Sequence, residues 1–308
     1  MKRVQTVLGP ISPDELGVTL THEHLLVHPP KTRPDPDLWM DSVDKAVEEL
    51  QMLKRAGGNS LVEMTVLEYG RDINGLIKIA KDAQFNVICT TGHSQELNFK
   101  PGTINDWLLK ASVGELTKIN VKEIEKGIEG TTAKAGVVKG GSSRDFVTPA
   151  EERCLRAAAK THLETGAPII THTSWGTMAF RQLEIFREEG VDLSRVIIGH
   201  LDKCPNHGYL RMLAKEGVNL SFDQVGKTKY YPDSLRVDLI SKLVKDGYST
   251  QILISMDSGR RSYLRSYGGA PGLQYVLEGF VKLLKKKGLS EDNIHKFFVE
   301  NPKRILPF

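Results

Sequence analysis

Eight short apolar segments, each followed by a stretch long enough for a helix, run through this sequence from end to end. The candidate strands are Gly17–His22, Asn59–Thr65, Asn86–Gly92, Ala135–Lys139, Ala167–His172, Arg195–His200, Gly217–Phe222 and Gln251–Asp257. Each is rich in Val, Ile, Leu or Thr and bounded by Gly, Asn or charged residues, as strands buried on both faces should be. Amphipathic stretches such as Asp41–Ala56, Pro149–Thr165 and Met178–Glu189 lie between them. Thr148 can cap the second of these, with Pro149 in the first turn and Glu151 three residues on. Ile104–Gly130 and Gly226–Arg236 exceed plain connections and are expected to carry loop or extra helix. Eight alternating strand–helix units fit a closed (β/α)8 TIM barrel, a parallel α/β fold, better than an open sheet. No Ser/Gly-rich linker, repeat or shift in composition divides the chain, so one domain over 1–308 is expected.

Composition narrows the function. The 42 basic and 38 acidic residues leave a net charge of +4, dispersed along the chain, which argues against nucleic acid as a partner. Cys89, Cys154 and Cys204 have no paired spacing, so a disulfide framework is excluded and a reducing compartment fits. No stretch approaches 18 uninterrupted apolar residues, and Met1–Pro10 lacks a signal-peptide core. A cytoplasmic enzyme with no membrane partner is the expectation.

Chemistry concentrates where the strands end. Thr21-His22-Glu23-His24 closes the first strand, and residues i and i+2 of a strand face one side, so His22 and His24 can converge on one metal. The fourth strand ends at Lys139, the fifth at His172, the sixth at His200 and the eighth at Asp257, each the last residue of an apolar run. Taken singly, Lys139 reads as a solvated strand end, His172 and His200 as core histidines, and Asp257 as a helix cap. In a parallel barrel, however, all strand C-termini open on one face, where barrel active sites lie. Six metal-competent side chains then share one mouth, and only a metal site explains the whole set.

This constellation resembles the phosphotriesterase family of the amidohydrolase superfamily, and the likeness spans nearly the whole chain, from Gly9-Pro10 and Thr-His-Glu-His to Asn301-Pro302. The resemblance implies a metal-dependent hydrolase with two divalent cations. His22, His24 and Asp257 would hold the buried metal, and His172 and His200 the exposed one. Lys139, carboxylated by CO2 to an N6-carboxylysine, would bridge both together with a hydroxide. Asp257 would orient that hydroxide and carry its proton to the leaving group. Zn is the first expectation, with Mn, Co or Ni also suited to such ligands. A homodimer is implied by the same likeness, without an interface signature of its own.

The loops after strands seven and eight bear on the substrate. One holds Lys227, Lys229, Tyr230 and Tyr231, and the other runs Asp257-Ser258-Gly259-Arg260-Arg261-Ser262-Tyr263. Arginine forks, ammonium groups and phenol hydroxyls suit a dianionic phosphate. Lys229, Arg260 and Tyr263 resemble the phosphate-holding set of the family's branch that opens phosphorylated sugar lactones. The expected substrate is therefore a small anionic molecule, a phosphorylated aldono-1,4-lactone opened by the bridging hydroxide. A lactonase for neutral or acyl-homoserine lactones with promiscuous phosphotriesterase activity is the alternative. A metal-dependent nuclease and a non-catalytic metal-binding barrel are the remaining ones. Glu63, Glu68 and His93 near the same mouth are expected to support ligands by hydrogen bonds, and Trp175 could wall the pocket.

Overall fold

The structure, a computed structural model, describes residues 2–29, 34–99 and 106–308. An antiparallel hairpin, β1 (Val4–Thr6) and β2 (Gly9–Ile11), precedes eight parallel strands. These are β3 (Thr19–Glu23), β4 (Ser60–Glu63), β5 (Asn86–Gly92), β6 (Val137–Ser142), β7 (Ile169–Thr173), β8 (Val196–Ile198), β9 (Asn219–Phe222) and β10 (Ile252–Ile254). They neighbour one another in sequence order from β3 to β10, and β10 returns beside β3 to leave a nearly closed barrel. Around it run α1 (Val43–Arg55), α2 (Ile73–Ala83), α3 (Val113–Glu125), α4 (Pro149–Thr165), α5 (Ala179–Glu188), α6 (His207–Lys215), α7 (Asp233–Lys245) and α8 (Val281–Lys286). Among the described residues no helix is long and apolar enough to cross a membrane.

All eight expected strands exist, most of them starting one or two residues later than expected, while β3, β6 and β7 run one to three residues further at their C-terminal ends. The cap at Thr148 forms: its hydroxyl accepts from Glu151 N at 3.1 Å, and the Glu151 carboxylate accepts from Thr148 N at 3.0 Å. The expected elaboration at 104–130 is α3 and a short 3-10 turn, Asp106–Leu109, with residues 104 and 105 outside the described set. At 226–236 a turn runs directly into α7. The opening hairpin was not foreseen, because three-residue strands carry too little periodicity to read.

Alternation places the side chains. Val62, Ile88, Val137, Ile170, Ile197 and Leu253 fill the barrel interior, plugged by Val4, Leu16, Ile305 and Leu306. Their neighbours Leu61, Val87, Val138, Ile169, Val196, Ile198, Ile252 and Ile254 pack outward against the helices. Two residues beyond an interior position lies another, so Lys139 follows Val137 inward and His172 follows Ile170. β3 breaks this rule. Leu20 pairs with the outward Leu61, which by alternation would send His22 and His24 outward as well. The register then slips by one between Leu20 and Glu23, so that Glu23 pairs with Glu63 and the two histidines turn inward.

The seam between β3 and β10 is joined mainly by side chains rather than by a ladder. Ser255 Oγ accepts from Thr21 N at 2.7 Å and His22 N at 3.1 Å. The buried Glu23 carboxylate accepts from Met256 N at 2.7 Å and Ser258 N at 3.0 Å, and Asp257 N donates to His22 O at 3.0 Å. Ser255→Ala strands two buried amides and should cost about 2 kcal/mol of stability. Ser221→Ala is the control, since that buried hydroxyl has no hydrogen-bond partner among the described residues; thermal unfolding of the two should separate them clearly.

Candidate metal centre

All six expected ligands, His22, His24, Lys139, His172, His200 and Asp257, line one cavity of about 550 Å³ at the C-terminal mouth of the barrel. β3 supplies the histidine pair, and β6 and β7 supply Lys139 and His172. The last two come from turns just past β8 and β10. There His200 and Asp257 adopt the left-handed region, with φ of 62° and 53°. Non-glycine residues rarely pay for that conformation, which costs on the order of 1 kcal/mol each and persists where surroundings enforce it. Gly199 is needed before His200, because a Cβ there would lie 2.3 Å from Thr171 O.

Hydrogen bonds orient the rings. His200 Nδ1 lies 2.7 Å from Asp223 Oδ1, leaving Nε2 to face the cavity. His24 Nδ1 lies 2.7 Å from Thr65 Oγ1, whose hydroxyl donates to Glu63, so His24 Nε2 also faces inward. That Nε2 stands 3.3 Å from Asp257 Oδ1, and His22 Nε2 stands 3.9 Å from the same oxygen. Among the described residues neither buried ring nitrogen of His22 has a hydrogen-bond partner; Nδ1 lies 3.4 Å from Asp223 but out of line for a bond. His172 Nδ1 and His200 Nε2 converge to 2.8 Å. Unpartnered and mutually facing nitrogen lone pairs beside a carboxylate are the donor set a divalent cation takes, and the residues fit one.

Electrostatics push three of the imidazoles, the lysine and the aspartate toward their ligating forms. Burial pushes the His24 and His200 rings down to about 4, against the upward pull of Asp257 and Asp223 respectively, and His172 falls well below its ordinary value. Burial likewise lowers the Lys139 ammonium toward a neutral amine, although Asp257 and Glu68 oppose it. Its Nζ donates to Met64 O at 2.7 Å. Against the upward push of burial, the Lys227 charge and the His24 hydrogen bond hold Asp257 well below the usual carboxylate range.

A second triad, His22, His200 and Asp223, has suitable spacing. We discount Asp223 as a ligand because its oxygens are already taken by the His200 amide, His200 Nδ1 and Gln224 Nε2. Asp223 sets ring orientation instead. Nothing in the sequence singled it out, although its place one residue past β9, in line with the other strand-end groups, was a usable signal. Gln224 Nε2, also missed, and Lys227 Nζ, read from the sequence only as a loop cation, hold Asp257 Oδ2 at 2.9 and 2.8 Å. Glu68 lies 3.3 Å from His93 Nδ1 and accepts from Ser94 N, and its charge reaches Lys139.

The remaining three expected residues, Lys229, Arg260 and Tyr263, line the same cavity, together with Lys203 from the loop after β8. Lys203 escaped notice because its loop contributes a single cation. Arg260 is paired with Asp35 at 2.6 Å and Asp37 at 3.2 Å, and the Tyr263 hydroxyl is buried without a partner among the described residues. Leu97, Phe146 and Trp175 form an apolar rim.

Comparison with known proteins identifies the family. The sequence matches the profile of the Phosphotriesterase family over residues 2–306. It is 35% identical to a phospho-furanose lactonase of Mycoplasmopsis synoviae, the match covering 100% of this chain and 92% of that one. The crystal structure of a lactonase from Listeria monocytogenes superposes with a TM-score of 0.95 at 35% identity, covering 99% of this chain and 98% of the other. The phosphotriesterase homology protein from Escherichia coli, solved with phosphate in its active site, gives a TM-score of 0.91 at 35% identity over 95% and 99% of the two chains. With a His, Lys and Asp set gathered at one barrel mouth, this chain belongs to the phosphotriesterase family and is a metal-dependent hydrolase of ester bonds.

Proposed function

We propose that this enzyme is a binuclear lactonase that opens phosphorylated aldono-1,4-lactones, with the whole chain acting as one catalytic unit. The observation that carries the substrate class is the set of Lys203, Lys229, Arg260 and the unpartnered Tyr263 hydroxyl on the wall of the cavity that holds the ligand set. Lys203 and Lys229 have no carboxylate beside them among the described residues, so a neutral substrate would leave these two ammonium groups without a counter-charge. The phosphate in the similar Escherichia coli enzyme and the name of the Mycoplasmopsis relative support the same choice.

His22, His24 and Asp257 would hold one cation and His172 and His200 the other. Lys139 would bridge them once its neutral amine has added to CO2 and lost a proton. Such cations, when bound, supply hydroxide at neutral pH and polarise the lactone carbonyl. Lys229, Arg260 and Tyr263 grip the distal phosphate, so remote binding energy holds the carbonyl in place. Asp257 divides its labour between two oxygens. Oδ1 faces the histidine pair, while Oδ2 is fixed by Lys227 and Gln224. Held this way, the carboxylate takes the nucleophile's proton and passes it to the departing ring oxygen.

The apolar rim of Leu97, Phe146 and Trp175 favours a second reading, a neutral lactone with an acyl chain. Substrate pairs separate the two. Metal-reconstituted enzyme should hydrolyse a phosphorylated aldonolactone far better than its unphosphorylated twin, and acyl-homoserine lactones poorly. Arg260→Ala and Lys229→Ala should each raise KM for the phosphorylated lactone roughly ten- to a hundredfold, the scale of one charge-assisted hydrogen bond, with a much smaller effect on the unphosphorylated twin. Undiminished activity in both variants would sink the anionic substrate. For the metals, elemental analysis should give about two per chain, falling in His22→Asn and Asp257→Asn, and chelation should abolish turnover.

A further inference from the structure

The cations of the cavity rim differ in how they are held. Arg260 has two carboxylates beside it, and Lys227 has Asp257 at 2.8 Å. Among the described residues, Lys203 and Lys229 have no carboxylate within ion-pair distance. They lie over aromatic rings instead. Lys203 Nζ is 4.6 Å from the centroid of Tyr230 and Lys229 Nζ is 5.0 Å from it. Lys229 is also 5.1 Å from the Tyr263 ring, over which Lys227 stands at 4.9 Å. The order across the mouth is thus Lys203, Tyr230, Lys229, Tyr263, Lys227, an ammonium alternating with a ring at every step. Trp175 meets the Tyr230 ring edge-on, centroids 5.7 Å apart at 87°, which sets the angle of that ring.

We propose that Tyr230 is a positioning residue for the phosphate end of the substrate: its ring holds Lys203 and Lys229 apart, and aims both at one phosphate group. This rests on the phosphorylated-lactone reading above. Like charges crowded on one wall repel, and the ammonium of Lys229 is pushed below its ordinary value by burial and then by Arg260, Lys227 and Lys203. Something must restrain them before substrate arrives. A carboxylate would do so by neutralising them, and the phosphate would then have to displace it. An aromatic face attracts an ammonium through its quadrupole yet carries no net charge, so the cation stays available to an anion. The phenol hydroxyl is dispensable to this role, and among the described residues the Tyr230 hydroxyl makes no hydrogen bond.

The test compares metal-loaded wild type with Tyr230→Phe, Tyr230→Leu, Lys203→Met and the Tyr230→Leu/Lys203→Met double variant. Substrates are an aldono-1,4-lactone with and without its 5-phosphate, and calorimetric binding of a pentitol 5-phosphate is measured alongside. Tyr230→Leu should raise KM for the phosphorylated lactone about tenfold, the upper range of a cation–π contact, and weaken pentitol phosphate binding by a similar factor. The penalty on the unphosphorylated lactone should be several times smaller, and kcat should move less than KM. Tyr230→Phe should restore the wild-type KM, and the double variant should fall short of the product of the two single losses, because the Tyr230–Lys203 contact is shared between them while the Tyr230–Lys229 contact is lost only with the ring. Equal losses on both substrates, no loss in Tyr230→Leu, or a loss in Tyr230→Phe as large as in Tyr230→Leu would each overturn the proposal while leaving the phosphate reading standing. If wild type itself shows no preference for the phosphorylated lactone, that reading falls and the proposal with it.

Discussion

The junction of the first and last barrel strands carries the rest of the structure. It closes the sheet and, in the same few hydrogen bonds, brings the His22–His24 pair against Asp257. Backbone pairing there is reduced to a single bond from Asp257 N to His22 O, and Ser255, Ser258 and the Glu23 carboxylate supply the others. Burying Glu23 pushes its acid up to about 8, partly offset by the bonds from Met256 and Ser258. A carboxylate is a costly way to join two strands. That raised value is the mark of the cost, and the two amide bonds are what offset it.

Charge in the cavity is arranged by depth. The deep part disfavours the charged forms of the His24, His172 and His200 rings and favours the ionised aspartate, the protonation pattern metal binding requires. Toward the rim, cations dominate, restrained by carboxylates at Arg260 and by rings at the lysines. A molecule with an electrophilic carbonyl at one end and an anion at the other matches this division, and the restraint on the cations prepares the wall before binding, so less ordering remains to be done. Asp223 connects the two histidine sets: it bonds His200 Nδ1 and stands beside His22, so one buried carboxylate influences ligands of both proposed metals.

Much of this was legible in the order of residues. Strand count, parallel pairing and the gathering of Lys139, His172, His200 and Asp257 at one face follow from apolar runs that end in a polar residue, since a parallel barrel sends every such end to the same side. The roles of Asp223, Gln224, Lys203 and Lys227 were not recovered, although Asp223 directly follows a strand and Lys227 stood out as a loop cation, because those roles come from partners far away in the chain.

Local chemistry alone decides which residues alternate, where helices are capped and which side chains are able to ligate, because those properties depend on neighbours within a few positions. Direction is another matter. That His22 and His24 face inward depends on a one-residue slip against β4, and simple alternation from Leu20 would have turned them out. That Lys227 bonds Asp257 while Lys229 rests on two rings is equally invisible in the string Lys-Thr-Lys-Tyr, since both lysines are cations two residues apart. Register, tautomer and ion pairing are set by groups brought together only when the barrel closes, and so they belong to the tertiary structure.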